Sequence, residues 1–241
     1  MEEKSRCIVL RTVKLGDNKL IADLLCREVG RLSVVLPFGT RRKGGGGASR
    51  QLFQPLSVIE ADIRQTPGRQ LARLKEASLA VVYTSLPFDG VKLSLAFFIA
   101  EFLGYATRDL HCDRTLYDFV EQSLVWLDNA GDGIANFHLM FMMRMTRFLG
   151  FYPDLDNYNP GALFDLREGC FTLTTPCHRD YLAPEDAERM IKLMRMTPGN
   201  EHLFRLSRSE RNRIIDFSLR FYRLHVPAFG EMKSLDVLRS L

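Results

Sequence analysis

CIVLRTVKLGDNKLIADLLCREVGRLSVVL, residues 7–36, decides the fold through its punctuation. Three apolar runs rich in β-branched residues (7–13, 20–26 and 32–36) are separated by the turn formers Gly16-Asp17-Asn18 and Gly30-Arg31. Runs of this length bounded by turn signals read as strands. Further on, residues 56–63 (LSVIEADI) alternate apolar with polar, and residues 71–79 close the set after Thr66-Pro67-Gly68. Five short strands in about eighty residues predict a small barrel of the OB type. An SH3-like barrel is the alternative at this stage.

From about Thr84 the period becomes helical. Residues 92–104 (KLSLAFFIAEFLG) are apolar on nearly every face and predict a buried helix. Leu116, Phe119, Val120, Leu124 and Leu127 form one helical stripe. Residues 134–149 are rich in Phe and Met, with Gly150 placed to end them. Residues 152–181 hold Pro153, Pro160, Gly161, Gly169 and Pro176 and read as irregular, with room for one hairpin. Helices resume at Pro184, a first-turn proline followed by Glu185 and Asp186. Ser207-Arg208-Ser209-Glu210 has capping-box spacing ahead of Ile214, Ile215, Phe221 and Tyr222. The expected class is α+β and multidomain: an OB-fold β-barrel over residues 1–80, then an α-helical domain over 81–241 with a small irregular insertion at about 152–181.

The chain has 241 residues, 46% hydrophobic and 26% charged, which excludes a disordered tail protein. Its net charge is only +4, but the charge is unevenly placed. Residues 1–82 carry 15 basic and 8 acidic side chains, a net of +7, and the remainder is at −3. A basic front suggests a module that binds a polyanion. No apolar run approaches the roughly 18–20 residues that span a bilayer. The opening Met1-Glu2-Glu3-Lys4 does not resemble a signal peptide. Five scattered cysteines (Cys7, Cys26, Cys112, Cys170, Cys177) fit reduced thiols in the cytoplasm better than a disulfide framework.

Catalytic motifs fail in turn. Gly39-Thr40-Arg41-Arg42-Lys43-Gly44 begins like a phosphate loop, but Gly45-Gly46 stands where Lys and Ser/Thr are needed. Cys170, Cys177 and His178 lie in a loop-rich segment, yet no C-x-x-C accompanies them. His111-Cys112-Asp113 are neighbours whose side chains point apart, whereas an activated nucleophile needs its base within hydrogen-bond reach. No catalytic residue, metal ligand or cofactor is assigned. A small hydrolase or transferase with a site near His111, Cys112 or His178 is the rival reading.

The basic residues of the front remain as candidate phosphate contacts: Arg11, Lys14, Lys19, Arg31, Arg41, Arg42, Lys43, Arg50, Arg69, Arg73 and Lys75. Only two aromatics, Phe38 and Phe53, occur in residues 1–82. Domains that sequester single strands stack bases on several rings. One rich in Arg and Lys but poor in rings grips phosphates and leaves base edges free, which suits single and double strands and the pairing of two strands. An RNA-binding accessory factor is the nearer alternative, distinguished by preference for a 2′-hydroxyl.

These residues resemble the RecO family of bacterial recombination mediators. The resemblance rests on IVLRTVKLGDNKLIADLLCREVGRLSVVLPFGTRRK (8–43), Gln54-Pro55-Leu56 and Leu74-Lys75-Glu76-Ala77 near the start. At the other end it rests on Phe221-Tyr222-Arg223-Leu224-His225 and on Phe229-Gly230-Glu231-Met232-Lys233-Ser234-Leu235. It implies DNA repair and recombination after DNA damage, DNA binding, strand annealing without ATP, and work in the RecFOR pathway. Implied partners are RecR, the C-terminal tail of single-stranded-DNA-binding protein (SSB) and, indirectly, RecA, which loads onto SSB-coated DNA. Many members carry a four-cysteine zinc insertion. Here Asp156-Asn157-Tyr158-Asn159-Pro160-Gly161 and the run to Cys177 replace the paired cysteines, so a metal-free remnant packed on Phe164, Phe171 and Tyr181 is expected. An acidic tail ending in an aromatic needs an apolar groove with cationic edges. Arg144 and Arg147, between Phe141 and Phe148, are the candidate tail site.

Overall fold

The computed structural model describes residues 2–37, 50–66, 71–227 and 229–239. They form two compact units, Met1–Asn129 and Ala130–Leu241. The first unit therefore keeps two helices with its barrel.

In the first unit, β1 (Glu2–Lys14), β2 (Lys19–Cys26), β3 (Gly30–Pro37), β4 (Val58–Arg64) and β5 (Ala72–Leu79) close into a barrel in the order β1-β2-β3-β5-β4. Every pairing is antiparallel except β3 with β5, where Val34 meets Ala72 and Val35 meets Arg73. β1 begins five residues before the apolar run, because Glu2 to Ile8 pair with Arg64 to Val58 of β4. Alternate residues of β2 and β3 fill the core: Leu20, Ala22, Leu24, Cys26, Val34 and Leu36, with Cys7, Val9 and Phe53. Leu56 departs from the predicted strand; it is wholly buried at φ 64°, and β4 starts two residues later.

The turn at Gly30 is a close approach. At φ +79° a Cβ there would sit 2.8 Å from the Cys112 amide nitrogen and 2.9 Å from the His111 carbonyl carbon. Only glycine lets the β2–β3 turn lie against that backbone.

α1 (Gly90–Ala106) and α2 (Arg114–Asn129) complete the unit. Asp89 caps α1 by accepting from the Val91 and Lys92 amides, and Asp113 accepts from the Leu116 amide at the start of α2. α1 is buried on one side only; Leu93 and Phe97 are exposed, contrary to a fully buried helix. The segment leaving β5 is strapped to the end of α2 by Asp128, whose carboxylate accepts from the Thr84, Ser85 and Leu86 amides. Burial raises the Asp128 pKa, but those three amides and the Thr84 hydroxyl outweigh it and hold the group at about 2. Bidentate pairs seat α2 on the barrel. Arg6 donates to Glu121 at 2.9 and 2.6 Å, and Arg27 to Asp118 at 2.7 and 3.0 Å.

In the second unit, α3 (Phe137–Leu149) packs against α4 (Pro184–Arg195) and α5 (Arg208–His225), and α6 (Leu235–Arg239) follows. Gly150 ends α3 in the left-handed conformation, and the Ser207–Glu210 capping box is formed in both directions. The irregular segment contains a three-stranded sheet in the order β7-β6-β8, made of β6 (Leu163–Asp165), β7 (Cys170–Thr172) and β8 (Tyr181–Leu182). Phe164 and Phe171 meet edge to face at 4.9 Å, with Tyr158 and Phe221 completing the ring cluster. Tyr181 contributes backbone pairing opposite Asp165.

Glu201 is the costly residue of this unit. It is 2% exposed, and among the described residues neither carboxyl oxygen has a hydrogen-bond partner. Burial pushes its pKa up to about 8. The folded state keeps this proton after the unfolded chain has lost it, so stability falls as pH rises from about 4.5 through 8. Glu201→Gln removes that dependence: the variant should melt roughly 5 °C above the parent at pH 8 and converge with it near pH 5. Equal pH slopes in the two melting series would show a folded-state carboxylate that is ionised at pH 7.

Candidate nucleic-acid interface

On the outer surface of β1–β2–β3, the cross-strand register sets Arg11 beside Asp23, and Asp23 beside Ser33. Two residues further along this face come Val13, Ile21 and Val35, and then Lys19 opposite Pro37. Here a cleft of about 650 Å³ opens between the β1–β2 turn and the start of β5. Leu15, Val35, Leu71 and Leu74 line it, with Lys19 and Arg73 supplying its cations. In OB barrels this face and its loops hold oligonucleotides. Val13 and Leu15 are exposed, and the single ring among the described residues 2–79, Phe53, is buried in the core.

The predicted cations separate by environment. Lys19 and Arg73 are exposed and meet no carboxylate among the described residues within ion-pair distance. Lys14 is exposed beside them. Arg11 is exposed but ties its Nε to Asp23 at 2.6 Å, and Lys75 pairs with Glu2 at 2.5 Å. Arg31 is more enclosed: its side chain is 15% exposed, lies 3.8 Å from Asp23 and donates to the Leu24 carbonyl, so it supports the sheet. Arg41, Arg42, Lys43 and Arg69 lie outside the described residues, as does the side chain of Arg50.

Asp23 organises this face. Burial raises its pKa, but the Ser33 hydroxyl, the Arg11 hydrogen bond and the Arg31 charge overcome that and hold it below the usual carboxylate range. Sequence reasoning missed it because an acidic residue inside LIADLLC has no local signal; its role needs the register that lines up three strands.

The residues of the rival enzyme reading have structural work. The Cys112 thiol donates to the Arg27 carbonyl at 3.3 Å, and Asp113 caps α2. His178 Nδ1 accepts from the Asp180 amide, and its Nε2 lies 3.2 Å from Asp165. Both His178 nitrogens are thus engaged by neighbours within the segment. Among the described residues no three His, Cys, Asp or Glu side chains converge as metal ligands. No described helix is long and apolar enough to cross a membrane.

The four residues of the candidate tail site on α3 have different surroundings. Phe141 is wholly buried and stacks on Phe137. Arg144 is turned inward to the Met196 carbonyl at 3.1 Å, whereas Arg147 lies over the Tyr152 ring at 4.2 Å. Phe148 is half-buried. The two guanidinium groups thus serve different neighbours. A second cleft, of about 510 Å³, lies between β8, α4 and α5. Arg179, Arg213 and Arg220 edge it, over Tyr181, Leu182 and Phe217. Asp186 and Asp216 also line it; Asp180 is shared by Arg167 and Arg220 and Asp186 by Arg189 and Arg213, while Asp216 pairs with Arg239.

A basic OB-type barrel ahead of a helical half agrees with comparison to known proteins. Residues 1–83 match the family described as Recombination protein O N terminal, and residues 87–236 match Recombination protein O C terminal. The chain belongs to the RecO family. DNA repair protein RecO of Phocaeicola vulgatus is 42% identical over 241 residues, covering 100% of this chain and 99% of that one. Its counterpart from Porphyromonas gingivalis is 36% identical over 240 residues, covering 98% of each. That from Flavobacterium psychrophilum is 29% identical over 244 residues. The family is one of DNA repair proteins.

Removing Asp23 leaves Arg31 buried without its counter-charge. Asp23→Ala should cost about 3 kcal/mol in urea unfolding near pH 7, and Arg11→Ala less than about 1 kcal/mol because that side chain is largely solvated. Since the folded-state pKa is depressed, the Asp23 contribution is present above about pH 4 and fades as pH falls through the folded value. Equal costs for the two variants would remove Asp23 from its organising role.

Proposed function

We propose that this chain is a non-catalytic DNA mediator whose barrel, residues 1–80, grips phosphates of single- and double-stranded DNA along the β1–β2–β3 face. The observation that carries this reading is the cleft whose cations, Lys19 and Arg73, are left to a ligand while Arg6, Arg27 and Arg31 serve the fold. Leu15 and Val13 add apolar surface for sugars, and no ring of residues 2–79 is exposed among the described ones to hold a base by stacking. Bases held this way stay free to pair, so the protein anneals complementary strands in the cytoplasm without ATP. With RecR it helps RecA onto DNA coated by SSB, and residues 81–241 recruit these partners.

Binding followed by anisotropy should weaken steeply with salt and show little dependence on DNA sequence. Lys19→Ala with Arg73→Ala should lower affinity about tenfold and flatten the log–log salt slope by about 1–2 units for every oligonucleotide. The parent should speed duplex formation without nucleotide or metal, and the double variant should lose most of that gain. Parent-like affinity in the double variant would place the DNA elsewhere.

The acidic SSB tail fits the β8–α4–α5 cleft better than α3, through charge opposite Arg179, Arg213 and Arg220 and a floor for its terminal aromatic. Arg179→Glu should weaken binding of a tail peptide about tenfold and leave naked-DNA binding within twofold. An effect of Arg147→Glu in its place would return the site to α3.

A further inference from the structure

Cys7 of β1 and Cys26 of β2 are direct register partners inside the barrel. Their Sγ atoms are 2.8 Å apart, and the residues are 0% and 1% exposed. Directly opposed residues of antiparallel strands hold their Cα atoms about 4.5–5.5 Å apart. That lies within the roughly 4.4–6.8 Å that disulfides span. Closing the sulfurs to a bond of about 2.0 Å needs less than about 1 Å of movement. The remaining thiols differ: Cys112 and Cys177 are exposed, and Cys170 is half-buried in the second unit.

We propose that Cys7 and Cys26 form an oxidisable pair, which a peroxide converts into a disulfide across the first hairpin. One sulfur attacks a peroxide oxygen; the O–O bond breaks, giving a sulfenic acid and one water. The second sulfur attacks the sulfenic sulfur, the S–O bond breaks, and the hydroxyl leaves as a second water with the remaining thiol proton. Two thiols are oxidised and one hydrogen peroxide is reduced to two waters.

Access sets the rate. The neighbouring Cys7 thiol, together with burial, pushes the Cys26 thiol well above its ordinary range. Cys26 therefore holds little thiolate in the closed barrel and both thiols are shut away from solvent, so oxidation proceeds from openings of the β1–β2 hairpin. Once made, the bond is shielded from thiol reductants by the same burial. The pair sits at the β2–β3 turn end of the hairpin, and Leu15 and Lys19 of the DNA cleft lie at the other. The disulfide therefore fastens the barrel and leaves the cleft unchanged.

The test uses the full chain treated with hydrogen peroxide, in buffer and in mild urea, then alkylated under denaturing conditions and digested without reductant. Mass spectrometry should find a Cys7–Cys26 linked peptide two hydrogens lighter than the separate peptides, forming faster in urea. The oxidised protein should melt roughly 5 °C higher. Dithiothreitol should reverse this only after unfolding, and the DNA affinities of the folded reduced and folded oxidised proteins should agree within twofold. Full alkylation of both residues, sulfinic acid at either, or links through Cys112, Cys170 or Cys177 in their place would overturn the proposal. Cys26→Ala should abolish both the link and the melting shift; a shift that persists in it also counts against the pair.

Discussion

A single thirteen-residue strand supplies both seams of the barrel. The first half of β1 hydrogen-bonds to β4 and its second half to β2, with Cys7 and Ile8 pairing on both sides. A register irregularity between Val9 and Arg11 lets the strand bend from one seam to the next. Without the pairing of Glu2 to Ile8 with β4, the sheet has two open edges and a core of small aliphatic residues half exposed. The cross-strand ladder of Arg11, Asp23 and Ser33, the cleft at Lys19 and the opposed thiols all inherit their positions from this closure.

The electrostatics of the front module divide into two populations. Arg6, Arg27 and Arg31 point at carboxylates or carbonyls of the fold, and such partly buried pairs set geometry more than they add net stability. Lys19 and Arg73 stand on the rim of an apolar cleft, where a low-dielectric wall strengthens attraction for a phosphate. A positive balance in sequence therefore overstates the charge offered to DNA. Acidic residues of α2, beyond the strands, neutralise part of it.

Most elements were legible because their signals are local. Gly150, Pro184 and the Ser207–Glu210 box mark helix ends within a few residues, and the apolar runs between turn formers in residues 7–36 mark the first three strands. What escaped depends on distant partners. Glu2 to Ser5 form strand although they are polar, since only β4 gives them bonds. Arg31 and Arg144 looked like surface cations, but the fold turns each toward a carbonyl. Phe141 belongs to the interior because α3 shows its neighbours α4 and α5 a face richer in Phe and Met than any one stripe announces. Asp128 gave no warning: its cradle is assembled from amides more than forty residues upstream.

The forked pairs of Arg6 with Glu121 and Arg27 with Asp118 are only partly open to solvent. Counter-ions that displace a nucleic acid also reach these forks. As ionic strength climbs, screening weakens the electrostatic part of the second helix's hold on the β-cylinder. Strong brine thus leaves the shoulder of the first unit held more by packing than by charge, and dilute buffer restores the forks' full attraction.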